Sequence, residues 1–492
     1  MVPCGPASLH PMTVPTFPVL GRPTSVFEPD STLVCRPATA NTERGTGRAY
    51  GGQTMTSESE RPAGLGRGRA RQAAIFRAGA LGRVPSIPTD APSLERRAKK
   101  AMSATAWAYV AGGAGECRTM RHNREAFERW RIVPRMLHGV ARRDLATSVA
   151  GTQLSSPLLL APIGAASVVA ANSDVTIAKG AAAAGTAYVI SCQGCNPLEE
   201  TAAAMNPWPF WYQLYWSTDE ALVDSMIRRA ERCGAAALVV TLDTTILGWR
   251  PQDLNLGSLP FVRGQGLAQY TSDPRFREIV RDRVASATGR PRGRVSLGAL
   301  RTLISMSREH PGSLTANLRS PEPRAAVEAF LDIYSNPGLS WNHIATLRHR
   351  TSLPIVLKGI LRPDDARRAV ELGVDAMIVS NHGGRQVDNA IASLDALVAI
   401  RDAVGPQPTV LLDSGIRSGT DVLIALALGA NTCLIGRPYV YGLAVGGADG
   451  VRQVIENIVA ELDLTMGLLG VQAISDLSRD LLANGHKLSG RA

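Results

Sequence analysis

The sequence predicts an α/β fold, a (β/α)8 TIM barrel with a helical segment in front of it and a long insertion after its fourth strand. Eight short apolar runs recur beyond Ser156: Leu158–Ile163, Ala187–Ile190, Trp211–Leu214, Ala235–Leu242, Pro354–Leu357, Ala376–Val379, Thr409–Leu412 and Thr432–Ile435. Continuous rather than alternating apolar character suits parallel strands buried on both faces. Helical stretches such as Asp219–Cys233, Pro363–Leu372 and Ser418–Leu428 separate the runs. Polar residues follow each run, as they must where the strand ends of a barrel open onto one rim.

At 492 residues the chain can bury a large core, and its 45% hydrophobic and 19% charged residues are ordinary for a globular enzyme. No apolar run approaches the ~20 residues of a membrane span, so no membrane partner is expected. The net charge of +11 is mostly a property of the first hundred residues, where 14 Lys+Arg face 7 Asp+Glu. With only 5% aromatics and no basic patch interleaved with them, nucleic acid is not an expected partner. Seven scattered cysteines form no disulfide framework and point to the cytoplasm. Cys192-Gln-Gly-Cys195 has no second pair or histidine cluster to complete a metal tetrahedron, so no metal is expected.

In chain order, residues 1–70 are rich in Pro, Gly, Ser, Thr and Arg without apolar periodicity, which predicts a disordered extension before a barrel domain at 71–492. Met55 opens Met-Thr-Ser-Glu-Ser-Glu, so residues 1–54 read as an upstream extension. Leu94, Ala98, Met102, Ala106, Trp107 and Val110 predict one helical stretch from Ser93 to the stop at Gly112-Gly113, with Tyr109 on its last turn. More than 100 residues separate the fourth run from the fifth. This insertion, about 251–340, is expected to be part lid and part disordered, with helix at about Arg324–Tyr334.

The chemistry gathers where runs end. Ser380-Asn381-His382-Gly383-Gly384-Arg385-Gln386 follows the sixth run and sets a proton acceptor three residues from a guanidinium fork, a pair that suits a 2-hydroxy acid. Gln213-Leu214-Tyr215, Thr241-Leu242-Asp243 with Arg250, and Lys358 end the third to fifth runs. Asp413-Ser414-Gly415 with Arg417 and Gly436-Arg437 end the last two, where glycines let backbone N–H groups approach a phosphate and arginines neutralise it.

With Tyr109 before Gly-Gly-Ala-Gly, Asn123, Thr244, Lys358-Gly359 and Gly436-Arg-Pro438, these motifs resemble the FMN-dependent 2-hydroxy acid oxidase and dehydrogenase family from about Arg71 to Leu481. Within it, Thr241–Trp249-Arg-Pro-Gln-Asp253 and Leu259-Pro-Phe-Val-Arg-Gly264 are most similar to lactate 2-monooxygenases. The resemblance implies FMN as cofactor and His382 as the catalytic base. It further implies that Asp243 supports the imidazolium, that Tyr109, Arg250 and Arg385 hold the substrate carboxylate, and that Tyr215 bonds substrate oxygen near the flavin. Lys358 would stabilise charge on the reduced flavin. Ser191, Gln213, Thr241, Ser380 and the backbone of Pro162, Ile163 and Gly164 would contact its ring. A homotetramer or larger assembly is implied as well.

Two departures bear on the substrate side chain: Asn172-Ser-Asp174-Val stands where many relatives have His-Pro-Glu-Gly, and Ser191-Cys192-Gln193 replaces a Ser-Ser or Ser-Thr pair. Gly164, where many simple oxidases of the family have Ala, is expected to leave extra room at the reactive edge. The resulting expectation is oxidation of lactate by dioxygen to acetate and carbon dioxide. The rivals are an oxidase releasing 2-keto acid and hydrogen peroxide, a quinone- or cytochrome-linked L-lactate dehydrogenase, and a flavin-binding barrel without turnover.

Overall fold

All eight runs form strands, and the strands close on one another. In the computed structural model, which describes residues 66–286 and 296–484, they are β1 (Leu158–Leu160), β2 (Ala187–Ser191), β3 (Phe210–Leu214), β4 (Leu238–Thr241), β5 (Ile355–Ile360), β6 (Ala376–Val379), β7 (Val410–Leu412) and β8 (Thr432–Ile435). Every pairing is parallel, and β8 returns to β1 to complete the barrel. Register places Ser191 opposite Gln213 and Thr241 opposite Lys358, so polar residues of neighbouring strands meet at the C-terminal ends.

The interior is filled by side chains. Leu159, Val189, Trp211, Val239, Val356, Ile378, Leu411 and Leu434 pack inside the strands, while a larger apolar layer lies between strands and outer helices. An antiparallel hairpin of Thr147–Val149 and Thr152–Leu154 closes the N-terminal end, where the Trp211 indole donates to Thr152 Oγ1 at 2.9 Å. With that end plugged, chemistry is confined to the opposite rim.

Three expectations change. The extension expected over 1–70 overlaps a helix, Arg67–Ala80, whose Gly68 approaches Leu464 so closely that a Cβ would lie 2.4 Å from its Cγ. The Gly68 N–H donates to Asp463 Oδ2 at 2.7 Å, and this docking on the helix Arg437–Leu469 outweighs the low apolar content of the segment. Residues 1–65, and with them the reading of Met55, lie outside the described residues. The helix expected from Ser93 is two, Ala91–Ala101 and Ala104–Ala111, because Met102 is extended and Ser103 caps the second by accepting from the Ala106 N–H. The insertion is largely helical. Beside the expected helix, found at Glu322–Ile333, it includes Pro274–Ser286 and Leu297–Glu309, and an aromatic cluster of Phe261, Tyr270, Phe276, Phe330 and Tyr334 ties the first two together. Aromatics spread over many residues gave no local apolar period, so packing rather than pattern stabilises these helices.

Candidate active site

A cavity of about 1000 Å³ opens at the C-terminal rim. Of the residues expected at the site, Tyr109, Pro162, Ile163, Gly164, Tyr215, Arg250, Lys358, His382, Arg385, Asp413, Ser414, Gly415, Arg417, Gly436 and Arg437 all line it. Asp243 does not, lying half-buried behind His382, and neither do Ser191, Gln213, Thr241 and Ser380, four residues buried at the strand ends without reaching the lining. Two of these four carry orphaned groups: Gln213 Nε2 and Thr241 Oγ1 have no hydrogen-bond partner among the described residues. Buried polar atoms without partners are costly, and two on neighbouring strands fit a polar ligand edge.

His382 is fixed before any ligand arrives. Its φ of 57° is left-handed, and its N–H donates to Ser380 Oγ at 3.1 Å. The next turn is bolted to the helix Arg118–Glu128 by reciprocal amide bonds between Asn123 and Asn381, 2.9 and 2.7 Å. Nδ1 lies 2.8 Å from Asp243 Oδ1, and the two side chains keep only 18% and 14% exposure. With Nδ1–H given to the carboxylate, the neutral ring presents Nε2 as its lone-pair nitrogen. Burial lowers the imidazole pKa below its ordinary value, Asp243 offsetting part of the effect. Asp243 feels the same burial upward, but His382 and Lys358 overcome it and hold the carboxyl at about 2.

Four arginines surround the cavity. Arg385 donates through Nη1 to the carbonyls of Tyr109 and Gly112, which leaves Nε and Nη2 without protein acceptors. Arg250 donates from Nε to the Arg385 carbonyl and from Nη2 to Gln386 Oε1, leaving Nη1. Among the described residues Arg417 gives one side-chain bond, from Nη1 to the Ile416 carbonyl. Arg437 is the most committed, donating to the carbonyls of Val110, Gly383 and Gly112. Burial and the proximity of Arg250 push Arg385 down to about 9, and burial with Arg437 pushes Arg417 to about 10. Cations destabilised in this way are waiting for anions.

Three site residues make contacts that the sequence did not signal, and at Gly164 the contact overturns an expectation. The Tyr109 hydroxyl donates to the Gly164 carbonyl at 3.1 Å, which uses its single donor, and the ring instead lies under the Arg385 guanidinium at 5.0 Å. Asp413 is drawn to Lys358 at 3.0 Å, while Lys358 also donates to Ser380 Oγ at 2.9 Å. Asp413 thus lines the cavity as the counter-ion of the lysine. Gly164 gives no extra room: a Cβ there would lie 2.7 Å from Gln193 Cβ and 3.1 Å from its carbonyl oxygen. Glycine is required by close packing at this point.

The cavity also has residues not singled out as site members: Gln193, Thr244, Leu247, Phe261 and Tyr334. Gln193 and Thr244 adjoin strand-end residues and could have been found by extending each rim by two positions. Phe261 and Tyr334 arrive from the insertion, and no local signal ties them to the rim.

An acid–base pair, a buried lysine and an arginine-lined cradle share the C-terminal end of a closed parallel barrel, an arrangement that suits a phosphate-bearing ligand beside a proton acceptor. The model of the FMN-dependent dehydrogenase family matches residues 98–484. The chain is 38% identical over 405 residues to an FMN-dependent alpha-hydroxy acid dehydrogenase of Penicillium citrinum, covering 82% of this chain and 92% of that protein. It is also 38% identical over 391 residues to an L-lactate oxidase of Lysinibacillus sphaericus, covering 80% and 92%. Among solved structures, mandelate oxidase with (S)-4-hydroxymandelic acid superposes with a TM-score of 0.64 at 31% identity, covering 80% of this chain and 98% of that one. The chain therefore belongs to the FMN-dependent dehydrogenase family, and its cofactor is FMN.

Proposed function

We propose that this protein oxidises a small L-2-hydroxy acid, lactate foremost, with dioxygen. The observation that carries the reading is His382 on Asp243 in one cavity with two guanidiniums, Arg250 and Arg385, that retain unused donors. The arginines hold the substrate carboxylate, and Tyr215 bonds the substrate oxygen. His382 Nε2 takes a proton from the substrate as two electrons leave it, and ionised Asp243 stabilises the imidazolium. FMN, when bound, supplies the two-electron acceptor. Gln213 Nε2 and Thr241 Oγ1, with Ser191 and Ser380 beside them at the strand ends, would supply polar contacts to its ring, and the backbone of Pro162–Gly164 and Asp413 would hold it from the cavity wall. Lys358 supplies positive charge, while Ser414, Gly415, Gly436, Arg417 and Arg437 form the phosphate cradle.

The lowered imidazole pKa gives a pH prediction. The base must be neutral, so kcat/KM is lost as pH falls through the folded value. That acid limb is expected below pH ~6.5, the ordinary histidine value. A limb at or above it in a kcat/KM profile would remove His382 as the base.

We infer further that lactate and dioxygen give acetate, carbon dioxide and water. Leu247, Phe261 and Tyr334, all from the segment after β4, line the cavity as a roof that delays escape of the 2-keto acid. A 2-keto acid still enclosed when dioxygen is reduced to peroxide is decarboxylated there; one released early leaves with peroxide. Retention now rests on this roof, since Gly164 opens no space. Acetate equimolar with consumed lactate, in a reaction without catalase, is the expected result. Stoichiometric pyruvate and hydrogen peroxide would make the protein a simple oxidase, and failure to consume dioxygen would favour a quinone- or cytochrome-linked dehydrogenase.

We also read the protein as a cytoplasmic homotetramer or larger assembly. Exposed apolar side chains of Ile246, Trp249 and Val387 offer a self-association surface, and the described cysteines are free thiols. Among the described residues no helix is long and apolar enough to cross a membrane.

A further inference from the structure

Gln386 follows Arg385 directly but does not line the cavity, and none of the roles argued above includes it. Its side chain nevertheless uses both ends. Nε2 donates to the carbonyls of Asp243 at 2.7 Å and Ile246 at 3.0 Å. Oε1 accepts from Arg250 Nη2 at 2.9 Å and from the Gly248 N–H at 3.4 Å. An amide has two donor hydrogens and one acceptor oxygen with two lone pairs, so these four bonds exhaust it. The flipped amide would set its oxygen against two carbonyls and its NH2 against a guanidinium, so the surroundings permit one orientation.

All four partners lie on the segment between Asp243 and Arg250, which leaves β4 with a carboxylate at one end and a guanidinium at the other. Gly248 on the same segment approaches the backbone of the sixth-strand motif so closely that a Cβ would lie 2.6 Å from the Arg385 carbonyl oxygen and 2.7 Å from that of Gln386. The Arg385 carbonyl in turn accepts from Arg250 Nε at 3.2 Å. Gln386 thus sews the Asp243–Arg250 segment to the loop bearing His382 and Arg385.

We propose that Gln386 is the positioning residue of the substrate-carboxylate clamp, resting on the reading of the site given above. By holding Nη2 of Arg250 it fixes the rotation of the guanidinium and leaves Nη1 for the substrate. By holding the Asp243 carbonyl it keeps the carboxylate under His382 Nδ1. Removing it leaves every substrate-contacting group in the chain but releases the geometry, and small displacements of such groups are costly to binding and rate.

The test is binding of 2-hydroxy-2-methylpropanoate, which has the carboxylate and hydroxyl of a substrate but no hydrogen on C2 and so cannot be oxidised. Perturbation of the flavin spectrum reads its Kd in the FMN-loaded full chain. Gln386→Met keeps the length and loses all four bonds. Gln386→Asn keeps the amide but is one methylene too short to reach both sides. Both are expected to weaken the analogue 10- to 100-fold and to raise KM more than they lower kcat. FMN content is expected to remain at the wild-type level, because the phosphate cradle lies on β7 and β8. Wild-type affinity in either folded variant would overturn the role of Gln386 alone. A wild-type protein that does not bind the analogue would overturn the reading of the site, and this inference with it.

Discussion

Replacing His382 with alanine is expected to leave FMN bound and to slow flavin reduction by substrate by at least about 10³-fold, within the range that a positioned general base contributes. Apart from Ser380, whose contact is with the His382 backbone N–H and survives the change, the groups that would hold FMN lie at the ends of β1 to β5 and after β7 and β8, so cofactor content is expected to stay at the wild-type value. The effect on the site itself is local but severe. Asp243 loses the imidazole that stabilises its charge, and its Oδ2 is already buried without a partner. Rapid-mixing reduction under anaerobic conditions measures the step directly, and rates equal to wild type would remove His382 from its role.

Arg385→Lys is the second large effect. Lysine keeps a positive charge but not the fork, and it cannot donate at once to the carbonyls of Tyr109 and Gly112 and to a carboxylate in the plane of a guanidinium. A hydrogen bond to a charged group contributes about 1.5–3 kcal/mol, so the loss of one or more is expected to lower kcat/KM roughly 10- to 150-fold. The Tyr109 ring, which lies under this guanidinium, loses its stacking partner as well. Unchanged kcat and KM would show that the carboxylate is held by Arg250 without Arg385.

Much of this was legible in the sequence because a parallel barrel writes its strands as apolar runs. Every run became a strand, though edges moved: the fourth shortened to Leu238–Thr241, since Ala235 and Ala236 precede the strand and Leu242 follows it, and the fifth lengthened to Ile360 across an irregularity at Gly359. The rim residues were legible for the same reason. A polar group straight after a buried strand has only the barrel mouth to occupy.

What was not legible depends on contacts distant in sequence. Nothing near Asp413 announces that it pairs with Lys358, and nothing near Gly164 announces that Gln193 fills the space a side chain would take. Nothing near Tyr109 announces that its hydroxyl donates to a carbonyl 55 residues away. The insertion showed its helix at Glu322–Ile333 but hid Pro274–Ser286, whose Phe276 packs on Tyr270 and through it on Phe330, a pattern that exists only in space.

His382 on Asp243, together with the unused donors of Arg250 and Arg385, is what we propose makes this FMN-dependent barrel oxidise small L-2-hydroxy acids. Anaerobic mixing of the FMN-loaded protein with L-lactate, D-lactate, glycolate and mandelate tests it most directly, with flavin absorbance as the readout. Bleaching by L-lactate, with D-lactate inert, is the result expected. An oxidised spectrum that persists with every acid would contradict it.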